Sequence, residues 1–261
     1  MNLDLINKNA LVCGSTQGIG KAIALQLAEM GANVTLIARN ETALKSVLQE
    51  LDSKKKQQHS YLCVDFSNPN ELKEKINSFA NKNAIHILIN NTGGPAGGPV
   101  LTAKPEEFIQ AFSNHLICNQ LLVQAFADGM KKANYGRIIN IISTSVKQPI
   151  KGLGVSNTIR AAVANWAKTL SMELAPFGIT VNNVLPGATK TIRLEAILEN
   201  KSKKTGASIE KAADEMLSEI PAGRFAEADE IANAVAFLAS PAAAYINGIN
   251  LPVDGGRTAC L

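Results

Sequence analysis

Along this chain, short unbroken apolar runs alternate with longer stretches in which apolar residues return every three or four positions. Seven runs have strand length: 9–13 (NALVC), 33–38 (NVTLIA), 60–64 (SYLCV), 85–90 (IHILIN), 137–142 (RIINII), 179–185 (ITVNNVL) and 248–253 (GINLPV). The stretch after the first run carries Ile19, Ile23, Leu27 and Met30 on one helical face, and the same period predicts helices over 41–52, 70–81, 105–132 and 155–174. Strands without polar alternation, separated by helices, predict a parallel sheet buried on both faces. The expected fold is therefore α/β: a single doubly wound parallel sheet, with helices on both faces, over residues 1–261. One stretch breaks the rhythm. Residues 188–222 are charged and helix-prone, and they follow the sixth strand, where a lid over a substrate would sit.

Composition narrows this reading without changing it. At 261 residues and 46% hydrophobic, the chain is long enough to bury roughly 70–75% of its unfolded surface, so neither a metal nor a disulfide is needed to hold it. A net charge of +4, with Lys and Arg scattered outside Lys54–Lys56 and Lys201–Lys204, argues against a nucleic-acid partner. The four cysteines lie far apart with no CxxC pair, as in reduced and mostly buried thiols. The start, MNLDLINKNALVCG, has no basic region before a long apolar run, and no stretch approaches the ~18 apolar residues of a membrane span. These features predict a soluble, cytoplasmic protein with no membrane partner. His59, His86 and His115 have no metal-ligand spacing, and His115 is expected to face neighbouring structure.

The chemistry begins at 14–20, GSTQGIG, between the first strand and the first helix. Gly14, Gly18 and Gly20 let the backbone turn and approach a pyrophosphate, while the helix start, with Ser15, Thr16, Gln17 and Ile19, offers N–H groups and partial positive charge. This is the dinucleotide-binding arrangement of a Rossmann fold. An NAD site needs a carboxylate at the end of the second strand for the ribose 2′-hydroxyl. Here Ala38, Arg39 and Asn40 stand there, so nothing repels a 2′-phosphate and a guanidinium can pair with it. NADP(H) is expected in preference to NAD(H).

In order along the chain, GSTQGIG, VDFS at 64–67, NNTGG at 90–94, Asn114, Ser143 after the fifth strand, LPGATKT at 185–191 and PVDGG at 252–256 resemble the short-chain dehydrogenase/reductase family. The likeness is greatest to members that reduce 3-oxoacyl groups on acyl carrier protein. It implies that Asp65 and Phe66 lie by the adenine and that Asn90, Asn91 and Gly93 line the adenosine ribose. It also implies that Pro186, Gly187, Thr189 and Thr191 orient the nicotinamide, and that Ser143 and Asn114 serve the carbonyl and a proton relay. Homodimers or homotetramers through the 105–132 and 155–174 helices are implied as well.

The same resemblance places a tyrosine and a lysine, four apart, where this chain has Ser156 and Arg160. The two positions share one helical face. Arg160 keeps a positive charge for ribose binding but is bulkier than lysine and does not give up its proton. Ser156 has a short stem and a hydroxyl far less acidic than a phenol, whose pKa is about 10. General acid work is worth about 10²–10⁴ in rate, so its weakening slows hydride transfer without forbidding it. Water held by Ser143, Ser156 and Asn114, or Lys147 or Lys151, could supply the proton. The leading expectation is an NADP(H)-dependent oxidoreductase acting on a small-molecule carbonyl or an acyl thioester. The other is an NADP(H)-binding regulator or partner subunit without turnover.

Overall fold

The computed structural model describes residues 1–260. Seven strands form one sheet: β1 (Asn9–Cys13), β2 (Asn33–Ala38), β3 (Ser60–Cys63), β4 (Ile87–Asn90), β5 (Gly136–Ile141), β6 (Ile179–Pro186) and β7 (Asn250–Val253). Their order is β3-β2-β1-β4-β5-β6-β7 and every pairing is parallel. The unbroken apolar runs are explained by two cores. Ala10, Val12, Ile87 and Ile89 point to one face, where α1 (Gly18–Glu29) and α9 (Ala228–Ala239) pack. Leu11, Cys13 and Leu88 point to the other, under α3 (Pro69–Ala80), α5 (Cys118–Lys132) and α6 (Gly154–Leu174). Successive residues of a strand face opposite sides, so a strand covered on both must be apolar throughout. The α2 helix (Glu41–Glu50) covers the β2–β3 edge, and α7 (Ile192–Thr205) and α8 (Ile209–Leu217) follow β6.

Two departures from the periodic reading matter. The helix expected over 105–132 is not regular: α4 (Pro105–Phe112) passes through a π turn over Ser113–Ile117 before α5, with the Cys118 N–H donating to the Ser113 carbonyl. Such turns re-aim the side chains that follow, and they concentrate at functional sites. The second is α9, which has no counterpart in the predicted elements. Its alanine-rich face lies on the equally alanine-rich face of α1, so the contact rests on close backbone approach rather than on large side chains.

Four neighbouring strands are joined by an amide ladder that runs from the ends of β4 and β5 through the middle of β6 to the start of β7. Asn90, Asn140, Asn183 and Asn250 are in register across β4, β5, β6 and β7. Each Nδ2 donates 2.8 Å to the next Oδ1, from Asn90 to Asn140 to Asn183 to Asn250. Asn140 is fully buried, and the ladder ends in the buried Asn90 Oδ1, which has no partner among the described residues. Polar groups in an apolar interior fix register because any slip would strip them of hydrogen bonds. Asn140→Ala orphans the Asn90 amide and the Asn183 carbonyl together. It should cost about 3 kcal/mol, read as a lower urea midpoint at unchanged slope.

Candidate active site

The glycine loop leaves β1 with Gly14 and Gly18 at positive φ, 59° and 52°. A Cβ at Gly20 would lie 2.1 Å from the Gly14 carbonyl oxygen, and one at Gly14 would lie 2.7 Å from that of Asn91. The chain is closed tightly on itself, held from the β4 side by Asn91, whose Nδ2 donates to the Cys13 and Gly14 carbonyls at 3.2 and 3.3 Å. Ser15 is fully buried and its hydroxyl donates to the Ile37 carbonyl at 3.3 Å. The α1 helix starts at Gln17 with no side-chain cap and no acid in its first turn, so its N–H groups remain free for an anion. This cradle fits a pyrophosphate. Gly18 meets the loop after β6, since a Cβ there would be 3.1 Å from Thr191 Cγ2.

At the end of β2, Arg39 projects into solvent, its side chain 79% exposed and 4.0 Å from the Asp65 carboxylate. Asn40 caps α2, accepting the Ala43 N–H at 3.0 Å. Asp65 also accepts the Ser67 N–H at 2.9 Å, while Phe66 packs partly against the second core. Asn90 is turned into the amide ladder, so its side chain serves the strand ends, and Gly93 is exposed on the loop that follows. Past β6, Gly187 donates to the Val253 carbonyl at 2.9 Å, Thr189 to the Gly187 carbonyl at 3.1 Å and Thr191 to the Thr189 carbonyl at 3.2 Å. Pro186 ends β6 itself, and Thr191 is also the N-cap of α7.

The candidate polar side chains come from the end of β5, from α6 and from the π turn. Ser143 accepts the Ser145 N–H at 3.1 Å and caps a short 3₁₀ turn. Ser156 is buried on the first turn of α6. One turn on, Arg160 is 7% exposed, its Nη1 donating to the Ile141 carbonyl at 3.0 Å and its Nη2 to the Thr92 carbonyl at 3.4 Å. The π turn presents Asn114, whose Oδ1 accepts from Gln110 Nε2 at 2.7 Å, and buries His115 against Thr92, ring Nδ1 to hydroxyl. His115 does face neighbouring structure, as its sequence setting suggests, but that structure is Thr92 of the site with Arg160 nearby. A polar residue pair inside an apolar helix was the only signal for this contact.

Burial dominates the electrostatics here. Desolvation, reinforced by the Arg160 charge, lowers the His115 pKa from 6.5 to about 3, so the ring is neutral. Desolvation and then Arg193 lower Arg160 to about 10, which leaves it protonated near neutral pH. Of the four thiols, Cys13 and Cys118 are buried, whereas Cys63 is half-buried and Cys260 exposed, short of the mostly buried set expected. No tyrosine reaches the cluster: Tyr61 bonds Glu41, Tyr135 bonds the Ala239 carbonyl and Tyr245 is fully exposed. Among the described residues there is no group of metal ligands.

A family described as enoyl-(acyl carrier protein) reductase matches residues 14–258. The chain belongs to the short-chain dehydrogenase/reductase family of oxidoreductases. It is 34% identical to the NADPH-dependent reductase BacG of Bacillus subtilis, covering 95% of this chain and 97% of that protein. It is 35% identical to the 3-oxoacyl-[acyl-carrier-protein] reductase FabG of Vibrio cholerae, covering 98% of each. Among solved structures, the L-sorbose reductase of Gluconobacter frateurii, complexed with NADPH and L-sorbose, superposes with a TM-score of 0.92 at 28% identity over the whole of both chains. The seven-stranded parallel sheet is thus the sheet of this dehydrogenase/reductase family, as its sequence resemblance implied.

The buried neutral histidine makes a pH prediction. Its folded pKa lies below the unfolded value of about 6.5, so its contribution to stability is complete above pH 6.5 and is lost as the pH falls toward 3. His86, lowered by burial and then by Lys8, acts in the same sense. Unfolding free energy should fall between pH 7 and pH 5, and His115→Gln should remove about 2 kcal/mol of that fall. Denaturant melts at the two pH values test it.

Proposed function

We propose that this protein is an NADP(H)-dependent oxidoreductase that moves a hydride between the nicotinamide and a carbonyl or secondary alcohol. The observation that carries this reading is the end of β2, where an exposed arginine, with no acid at the strand end itself, stands beside a free glycine cradle. Relatives that are NADPH-dependent reductases support it. Gly14, Ser15, Thr16, Gln17, Gly18, Ile19 and Gly20 would hold the pyrophosphate. Arg39 and Asn40 would take the 2′-phosphate end, Asp65 and Phe66 the adenine, and Asn90, Asn91 and Gly93 the ribose side, Asn90 through the strand end that it anchors. Pro186, Gly187, Thr189 and Thr191 would orient the nicotinamide.

With NADPH bound, a hydride is available to the carbonyl carbon. The Ser143 hydroxyl is free to donate to the carbonyl oxygen, because its hydrogen bond to Ser145 uses it only as an acceptor. Arg160, charged and buried, favours negative charge developing on that oxygen and keeps donors for the nicotinamide ribose. The proton would come from water held by Ser143, Ser156 and Asn114, since a serine hydroxyl is too short and too weakly acidic to act as a phenol would. The 3-oxoacyl thioester is the substrate class to test first, given the FabG relatives. The segment 188–222, folded as α7 and α8, would act as its lid. A binding protein without turnover has less in its favour, since the chain has Ser143, Asn114, the Pro186–Gly187 turn and the 188–222 segment together.

No helix among the described residues is long and apolar enough to cross a membrane, and free thiols suit a cytoplasmic setting. Ile109, Phe112 and Ile117 leave apolar surface exposed along α4 and the π turn, which supports a homodimer or homotetramer through that face.

Nicotinamide fluorescence titrations should show NADPH binding at least about ten-fold tighter than NADH, with the preference lost in Arg39→Ala. Failure to bind either nucleotide overturns the proposal. In steady-state assays on a 3-oxoacyl thioester, Ser156→Tyr with Arg160→Lys should raise NADPH oxidation by about 10²–10⁴. A rate that stays at zero counts against the thioester as the substrate class.

A further inference from the structure

Two guanidinium groups converge on Gly94 and neither has an acidic partner among the described residues. Arg160 comes from α6, where it is buried, and Arg193 from the first turn of α7, where it is exposed. A Cβ placed on Gly94 would lie 3.5 Å from Arg193 Nη2 and 3.7 Å from Arg160 Nη2, so both tips border the space that a side chain there would take. Arg193 Nη2 donates to the Pro95 carbonyl at 2.8 Å, which holds its side chain against the loop after β4. Arg160 uses its two backbone bonds in the same way. Each guanidinium has five N–H donors, so both keep several for a ligand.

The charge around this space is uncompensated. Neither arginine takes part in an ion pair among the described residues. His115, the nearest ring, is neutral, and Arg193 acts on Arg160 as a like charge. Two positive groups brought together around a cleft, one of them desolvated, are stabilised by an anion placed between them. The phosphates of a dinucleotide already have positions of their own, at the glycine loop and at Arg39, on other parts of the sheet edge.

We propose that Arg160 and Arg193 form a carboxylate site beside Gly94, so that the substrate is a small oxo acid whose carboxylate lies close to the carbonyl being reduced. This rests on the reductase reading and narrows it. Ser156 and Arg160 are one helical turn apart, so an anion held by Arg160 belongs to the reacting end of the substrate. The phosphate of a carrier-bound thioester is at the far end of its arm and does not meet this requirement. Arg193 opens α7, so closure of the lid segment would be coupled to the charge of the substrate.

Oxamate, an inert oxo-acid analogue, and oxamide, its uncharged counterpart, separate the possibilities by titration calorimetry with and without NADPH. Oxamate should bind and oxamide should not. Arg193→Gln should weaken oxamate about 10- to 100-fold, the loss of a hydrogen bond to a charged group. Gly94→Ala, which places a methyl group against both guanidiniums without removing a charge, should weaken it as well, and NADPH affinity should be unchanged in both variants. Equal binding of oxamate and oxamide, or no effect of Arg193→Gln, overturns the carboxylate site. Competition between oxamate and NADPH also overturns it, because the arginines then serve a cofactor phosphate. Oxamate binding by a protein that fails to bind NADPH would sink the reductase reading and leave the anion site standing.

Discussion

Parallel pairing brings every strand's carboxyl end to one edge of the sheet, and everything this protein does there depends on those ends being in register. Four of the strands are joined by the Asn90–Asn140–Asn183–Asn250 amide ladder. A one-residue slip of any of these strands would bury unpaired amides in an apolar interior and turn its apolar residues toward the wrong core. With the ladder in place, the loop after β4, Ser143 after β5 and the threonine turns after β6 come to fixed heights above the sheet.

On that edge, close backbone approach and charge burial divide the work. Near the first strand the chain removes side chains: Gly14, Gly18 and Gly20 leave no room for a Cβ, and the α1 N–H groups stay uncapped. Toward the middle it does the opposite, burying a cation, the Ser156 side chain and a neutral imidazole on α6 and the π turn. Desolvation explains both states of ionisation, since it penalises a charge on His115 enough to neutralise it but leaves the far more basic Arg160 protonated. The carbonyls of Ile141 and Thr92 then orient a charge that has no carboxylate beside it, the condition in which a cation is most available to a ligand.

Membership of the short-chain dehydrogenase/reductase family bears on how Ser156 and Arg160 are read. The helix that carries them has an apolar face, with Val155, Ile159 and Val163 buried. Ser156 and Arg160 are buried one turn apart on that helix, and Arg160 extends its charge toward Gly94. The scaffold around the pair is that of the family.

The sequence by itself determined the sheet, the glycine cradle and the place of Arg39, because each is a local matter: a run of apolar residues long enough for a two-faced strand, a Gly spacing after β1, a missing acid after β2. It also determined which residues stand at 156 and 160. The tertiary structure alone decided the rest. The π turn replaced a regular helix because one extra residue in a turn leaves no mark on apolar periodicity, and it is this turn that buries His115 against Thr92. The α9 helix escaped because its contact with α1 is made by alanines, whose weak apolar contrast hides the pattern. The amide ladder and the Arg160–Gly94–Arg193 cluster join residues far apart in the chain, and only folding sets the distances on which hydrogen bonds and like-charge repulsion depend.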